Sequence, residues 1–259
     1  MAYRVMKTLA AGIAALCLGL GAAQAAGEAK PAKDVSFEHA GPFGAYDRAA
    51  VQRGLQVYKQ VCAGCHGLKY VAFRTLTGVG FSEDQVKAIA AESTVTDGPD
   101  SSGEMFDRPA RPADRFPSPF ANDQAAAAAF GVAPPDLSLM SKARPHGDAY
   151  IYSLLTGYDE PDAEGHEITC GDGTYVNPYF LAGNCIAMAP PLFDDAVEYA
   201  DGTPATSAQM AKDVTTFLAW AAEPKMEERK QMGVKVILFL IFLSVLLYLA
   251  KKQIWGRLH

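Results

Sequence analysis

Cys62-Ala63-Gly64-Cys65-His66 is the stretch of this 259-residue chain whose residue types and spacing prescribe a chemistry. Two thiols three positions apart can each add to a vinyl group of one macrocycle, and the imidazole beside them can ligate the metal at its centre. This is the attachment motif of a c-type haem. For a chain of this composition its three fixed residues arise by chance about 0.002 times. A thioredoxin-like redox pair would follow a buried strand in a βαβ pattern, whereas residues 47–66 read as helical. A zinc site would require a second closely spaced ligand pair, and Cys170 and Cys185 stand far apart.

An electron-carrying haem iron needs a sixth ligand, for which Met and His are the options. Met105, Met140, Met188 and Met210 compete with His39, His146 and His166. Met210 falls on the apolar face of a helix, and Met105 and Met140 lie in polar stretches rich in Pro, Gly and Ser. Met188 precedes Pro190-Pro191, which would stiffen a loop and hold a thioether in one direction. That loop-borne arrangement is favoured, but spacing alone leaves the choice open.

Two helices must position these groups. Asp47 caps a first helix with Val51, Leu55, Tyr58 and Cys62 on one face, and Gly67 is placed to stop it in a left-handed conformation. Thr206 and Gln209 form a capping box for a second, with Met210, Val214, Phe217, Leu218 and Ala221 facing inward. Glu223-Pro224 ends it.

The chain falls into three segments. Residues 1–26 pair Arg4 and Lys7 with a small-apolar run and Ala-Gln-Ala, the pattern of a cleaved secretory signal peptide. Residues 225–259 form an anchor, whose run from 233 to 250 carries only Lys235 and spans about 27 Å as a helix. Ile254 and Trp255 mark its far interface. Export then puts residues 27–224 outside the cytoplasm and the last residues inside it. That segment carries 14 Lys and Arg against 27 Asp and Glu, a net charge of −13 within a chain of −6. So acidic a surface repels nucleic acid and favours a basic partner.

Several blocks sharpen this outline: Pro134-Pro135-Asp136-Leu137-Ser138, Met188 with Pro190-Pro191-Leu192, Asp201-Gly202-Thr203-Pro204-Ala205-Thr206, and Trp220-Ala221-Ala222-Glu223-Pro224-Lys225 ahead of the anchor. From about Phe37 to Trp255 the chain resembles the cytochrome c1 family, in its bacterial form. The resemblance implies a mainly α, cytochrome c-like haem domain with loop insertions plus one C-terminal transmembrane helix. It further implies one covalent haem c on Cys62 and Cys65, with His66 and Met188 as axial ligands. The implied role is that of the haem subunit of a quinol:cytochrome c oxidoreductase. It would be partnered by a cytochrome b subunit, take electrons from a Rieske iron-sulfur subunit, and deliver them to a soluble or membrane-tethered cytochrome c. The haem domain would face the periplasm from a bacterial inner membrane. Such a subunit is not an enzyme by itself. A free-standing anchored cytochrome c is the nearest alternative, and a haem peroxidase a more distant one.

The chain departs from the family at two places. Where many relatives place an Arg before Pro-Pro-Asp-Leu, residues 125–129 are all Ala, so Arg111, Arg115 and Arg144 become candidate partners for a haem propionate. Ala189 stands where relatives often have Pro. The remaining cysteines, Cys170 and Cys185, form a candidate disulfide just ahead of Met188, as in some bacterial relatives. Asp194, Asp195 and Glu198, shortly after Met188, are candidates for docking a lysine-rich partner, whereas the acidic run 159–164 reads as a solvated loop.

Overall fold

The computed structural model describes residues 29–257, so the expected signal peptide lies outside the described residues. Asp47, in extended conformation, accepts from Ala49 N and opens α1 (Arg48–Val57). Val51, Leu55 and Val57 are buried along it. The helix widens into a π turn, Tyr58–Cys62, closed by Ala63 N donating to Tyr58 O at 2.8 Å, and this turn delivers the chain into the cysteine motif. Gly67 is therefore not the left-handed stop expected for it. Its φ is not positive, and a Cβ there would meet Asp136 Oδ2 at 3.2 Å and Ser118 Cα at 3.3 Å, so the glycine serves close approach instead.

A 3₁₀ helix (Phe73–Val79) leads to α2 (Glu83–Ala91), opened by a Ser82/Gln85 capping box. β1 (Thr94–Asp97) and β2 (Phe106–Pro109) pair antiparallel with Thr94 opposite Pro109. There follow α3 (Asp123–Phe130), α4 (Met140–Ala143), α5 (Gly147–Thr156) and a second antiparallel pair, β3 (Tyr175–Val176) with β4 (Cys185–Ile186). α6 (Ser207–Ala222) and α7 (Met226–Trp255) complete a mainly α architecture. The two small sheets were not anticipated, since strands this short carry too little alternation to read.

The described chain forms two compact units, one of Asp34–Tyr152 with 191–257 and one of 29–33 with Ser153–Pro190. The larger is organised by α1 packing on α6. They meet at Gly54, where a Cβ would stand 2.1 Å from Asp213 O and 2.7 Å from the Cβ of Phe217, so any larger residue would force the two helices apart. Phe217 and Trp220 are buried beside Tyr58, with ring centroids 5.7 Å apart for Tyr58–Phe217 and 5.9 Å for Phe217–Trp220. The buried Asp213 carboxylate accepts from Arg53 Nε and Nη2 at 2.9 and 3.0 Å and from Gln209 Nε2 at 3.1 Å. Only half of the expected capping box at Thr206 therefore forms. Gln209 N donates to the Thr206 hydroxyl, but the Gln209 side chain turns to Asp213, because a buried carboxylate left short of donors costs more than a solvated cap N–H.

The smaller unit has little regular structure. Cys170 and Cys185 are disulfide-bonded with Cα atoms 5.7 Å apart. Buried Asn177 donates through Nδ2 to Leu154 O at 2.7 Å and accepts from Tyr179 N at 3.2 Å. Glu160 accepts from Lys30 at 2.9 Å, Lys33 at 2.7 Å and the Tyr179 hydroxyl at 2.9 Å. Despite the opposing effect of desolvation, those hydrogen bonds hold its carboxyl down at about 2. Within the run 159–164, Asp159, Pro161, Ala163 and Glu164 are exposed, while Glu160 is triply bound and Asp162 accepts from Glu164 N and His166 N at 2.9 and 2.8 Å.

α7 has 30 residues and a mean hydropathy of 2.5 over its most apolar window, none of which is buried in the protein. At about 45 Å it is long and apolar enough to cross a membrane as a single-pass anchor. The helix begins ahead of the apolar run, at Met226, because Pro224 interrupts only the junction with α6. At its far end Lys251 Nζ lies 4.8 Å from the Trp255 ring centroid.

Candidate functional site

The structure gathers Cys62, Cys65 and His66 on one turn at the end of α1. Both cysteines are free thiols, although three residues is a spacing at which thiols commonly bridge. Burial, with a smaller contribution from Cys65, pushes the Cys62 thiol up to about 12, which keeps it protonated at neutral pH. The Tyr58 hydroxyl donates to His66 O at 2.9 Å and clips the turn back onto the π turn.

The His66 ring is oriented by a segment far away in sequence. Its Nδ1 lies 2.7 Å from Pro135 O. A carbonyl only accepts, so Nδ1 must carry the proton and Nε2 must keep its lone pair, which is the tautomer a metal requires. Burial lowers the His66 pKa against the opposing effects of that hydrogen bond and of Asp136, so the ring is neutral at pH 7. Asp136 and Ser138 hold the segment in place. Asp136 accepts from Lys69 N at 2.9 Å, Ser138 Oγ from Tyr70 N at 3.1 Å, and Leu137 N donates to Gly67 O at 2.9 Å. Two free thiols beside a neutral, oriented imidazole are the donor set that a covalent haem needs.

Met188 lies in the other compact unit, half-buried in an irregular loop. Two devices fix this loop. The disulfide and the β3–β4 pairing hold Cys185-Ile186 just upstream, and the Tyr158 hydroxyl donates to Met188 O at 3.0 Å. Met210 is core within α6, and Met105 is exposed. His39 is bonded to Asp148 at 2.8 Å, and His166 faces Asp162 and Glu164 on the surface. Of the three arginines, Arg115 and Arg144 each donate to a backbone carbonyl, and Arg111 is exposed.

Residues 37–258 match the family model described as the Cytochrome C1 family. The chain belongs to that family. It is 49% identical to cytochrome c1 of Rhodospirillum rubrum, with 97% of each chain covered. It is 51% identical to the mitochondrial cytochrome c1 heme protein of Saccharomyces cerevisiae, over 85% of this chain and 71% of that one. It is 48% identical to a protein of Bradyrhizobium diazoefficiens named cytochrome b/c1, over 95% of this chain and 39% of that longer one. Cytochrome c1 proteins are haem-bearing members of electron-transport chains, and the free thiols and oriented imidazole described above are what such a cofactor demands.

Sequence reasoning missed the supports of the site. Pro134–Ser138 had value only as a family signature, yet it positions His66. The available signal was two prolines, which have no N–H and so offer bare carbonyls, followed by Asp and Ser in a pattern that folds back on neighbouring N–H groups. Tyr58 and Tyr158 gave no signal, because their hydroxyls find carbonyls through tertiary packing. The docking candidates are not equivalent. All three are exposed, but Asp194 also accepts from Ser207 N at 2.7 Å and Ser207 Oγ at 2.9 Å at the start of α6.

Proposed function

We propose that this chain is the membrane-anchored haem subunit of a quinol:cytochrome c oxidoreductase, passing single electrons from a Rieske iron-sulfur protein to a basic cytochrome c. The observation that carries this reading is the His66 ring fixed by Pro135 O beside two free thiols, in a chain with a membrane-length helix. Cys62 and Cys65 would form the thioethers, and His66 Nε2 and the Met188 sulfur would be the axial ligands. Bound there, a haem supplies a one-electron iron couple poised by its axial ligands. The chain's own residues then set geometry: Pro135 fixes the ring tautomer, Tyr58 holds the motif turn, and Tyr158 with the 170–185 bridge restrains the Met188 loop. The relative named cytochrome b/c1 supports association with a cytochrome b subunit. In this reading residues 27–224 form the haem-bearing part in the periplasm, 225–259 the anchor, and the C-terminus is cytoplasmic.

Met188→Leu tests the ligand assignment. The variant should keep covalent haem through acid-acetone extraction but lose the sulfur-to-iron charge-transfer band and have a lower reduction potential. An unchanged band and potential would remove Met188 from the site.

A further inference from the structure

Phe43 is 84% exposed, more than any other large apolar side chain among the described residues, the faces of α7 included. It sits in Ala40-Gly41-Pro42-Phe43-Gly44-Ala45, an uncharged stretch within a strongly acidic segment. The stretch is not a loose tail. Ala40 N donates to Phe37 O at 3.0 Å, and a Cβ on Gly44 would lie 2.1 Å from Ala40 O, so the loop is folded tightly on itself and presents the ring outward.

The loop is fastened to α7 just before the apolar run begins. Lys230 Nζ donates to His39 O at 2.7 Å and Gly44 O at 2.9 Å. Tyr46 N donates to Glu227 Oε1 at 2.8 Å, and Arg48 grips the same carboxylate through both Nη atoms at 2.9 and 2.7 Å. Glu227 and Lys230 are about one turn apart on one face of the helix, and Val234 follows Lys230 by about 6 Å of rise. The polar interfacial layer on each side of a hydrocarbon core is about 5–8 Å deep, so a loop strapped beside residues 227–230 lies at the depth of that layer.

We propose that this loop is a second membrane contact, with the Phe43 ring inserted among the phospholipid headgroups and upper acyl carbons next to α7. An aromatic ring prefers that layer to water, and the uncharged loop meets no repulsion from anionic lipid. The occupant is lipid because the loop continues directly from the surface where α7 enters the bilayer. The inference rests on reading α7 as a membrane span.

The test uses the full haem-loaded chain in its complex, in vesicles of phosphatidylethanolamine and phosphatidylglycerol, with the photo-crosslinker p-benzoylphenylalanine placed in turn at positions 43, 239 and 193. Phe239 is an exposed residue of the apolar run, and Phe193 is 68% exposed on the larger unit. After irradiation, mass spectrometry should find phospholipid adducts at 43 approaching those at 239, and exceeding those at 193 by at least about fivefold, as expected for an interfacial aromatic. Adducts at 43 to another subunit in place of lipid would overturn the proposal, as would no adduct at 43 while 239 is labelled. Absence of lipid adducts at 239 would instead remove the span itself, and the proposal with it.

Discussion

The two compact units solve the same problem by different means. In the larger, α1 and α6 hold the Cys62–His66 turn through burial: Phe217, Trp220, Leu55 and Val51 are almost wholly removed from water. In the smaller, the Met188 loop is restrained by a disulfide and by the Tyr158 hydroxyl, and the unit around it by a carboxylate shared between Lys30 and Lys33 and a buried Asn, with little apolar core. A proposed metal ligand on a helix end thus inherits its rigidity from packing, whereas one on a loop must be given it by cross-links.

The comparison can be broken at its strongest point first. Phe217→Ala removes a fully buried ring and should cost about 3–5 kcal/mol, seen as loss of cooperative unfolding by circular dichroism. Replacing Cys170 and Cys185 by Ser should cost about 3 kcal/mol by chain entropy, but locally. Amide exchange should rise in 154–190 while α1 and α6 keep their protection, and equal loosening of both units would refute the contrast. Gly54→Ala drives a methyl into the α6 backbone and should cost about 1–3 kcal/mol in urea denaturation.

Much of the larger unit was legible in the sequence because burial leaves a periodic trace. Val51, Leu55 and Tyr58 announce one helix, and Met210, Val214 and Phe217 the other. That Cys62, Cys65 and His66 share one turn was legible because their spacing is local. The support from Pro135, Asp136 and Ser138 was not, since a hydrogen bond to a carbonyl 69 positions away leaves no period. The same holds for Glu160, which read as one member of an acidic run. Its partners Lys30 and Lys33 lie more than 120 positions earlier in the chain.

Smaller effects sharpen the contrast. The Glu160 carboxyl is depressed from 4.5 to about 2, so its contribution to stability is complete above pH 4.5 and is lost as pH falls toward 2. Thermal unfolding followed through that window should show Glu160→Gln flattening the acid slope of the smaller unit, with a loss of up to about 1 kcal/mol at neutral pH. Changing Asp194 and Asp195 to Asn and Glu198 to Gln should leave stability nearly unchanged, since Asn still accepts from Ser207. In stopped-flow measurements with a basic cytochrome c, association should slow and its salt dependence flatten. An unaltered rate and slope would put docking elsewhere.

The joint between α6 and α7 has a mechanical consequence. Pro224 interrupts the backbone ladder there, so resistance to bending comes from side chains: Glu223 paired with Lys142 and Arg229, Arg48 with Glu227, and Lys230 with two carbonyls. Arg229, by hydrogen bonding, and Lys142 hold the Glu223 carboxyl down at about 2, so the lock stays closed at any physiological pH. Three fastenings around a broken backbone convert a swivel into a bracket. The α1–α6 pair is then mounted at one fixed pitch on the apolar helix α7, and torque applied to it falls on ion pairs before it reaches the packed helices.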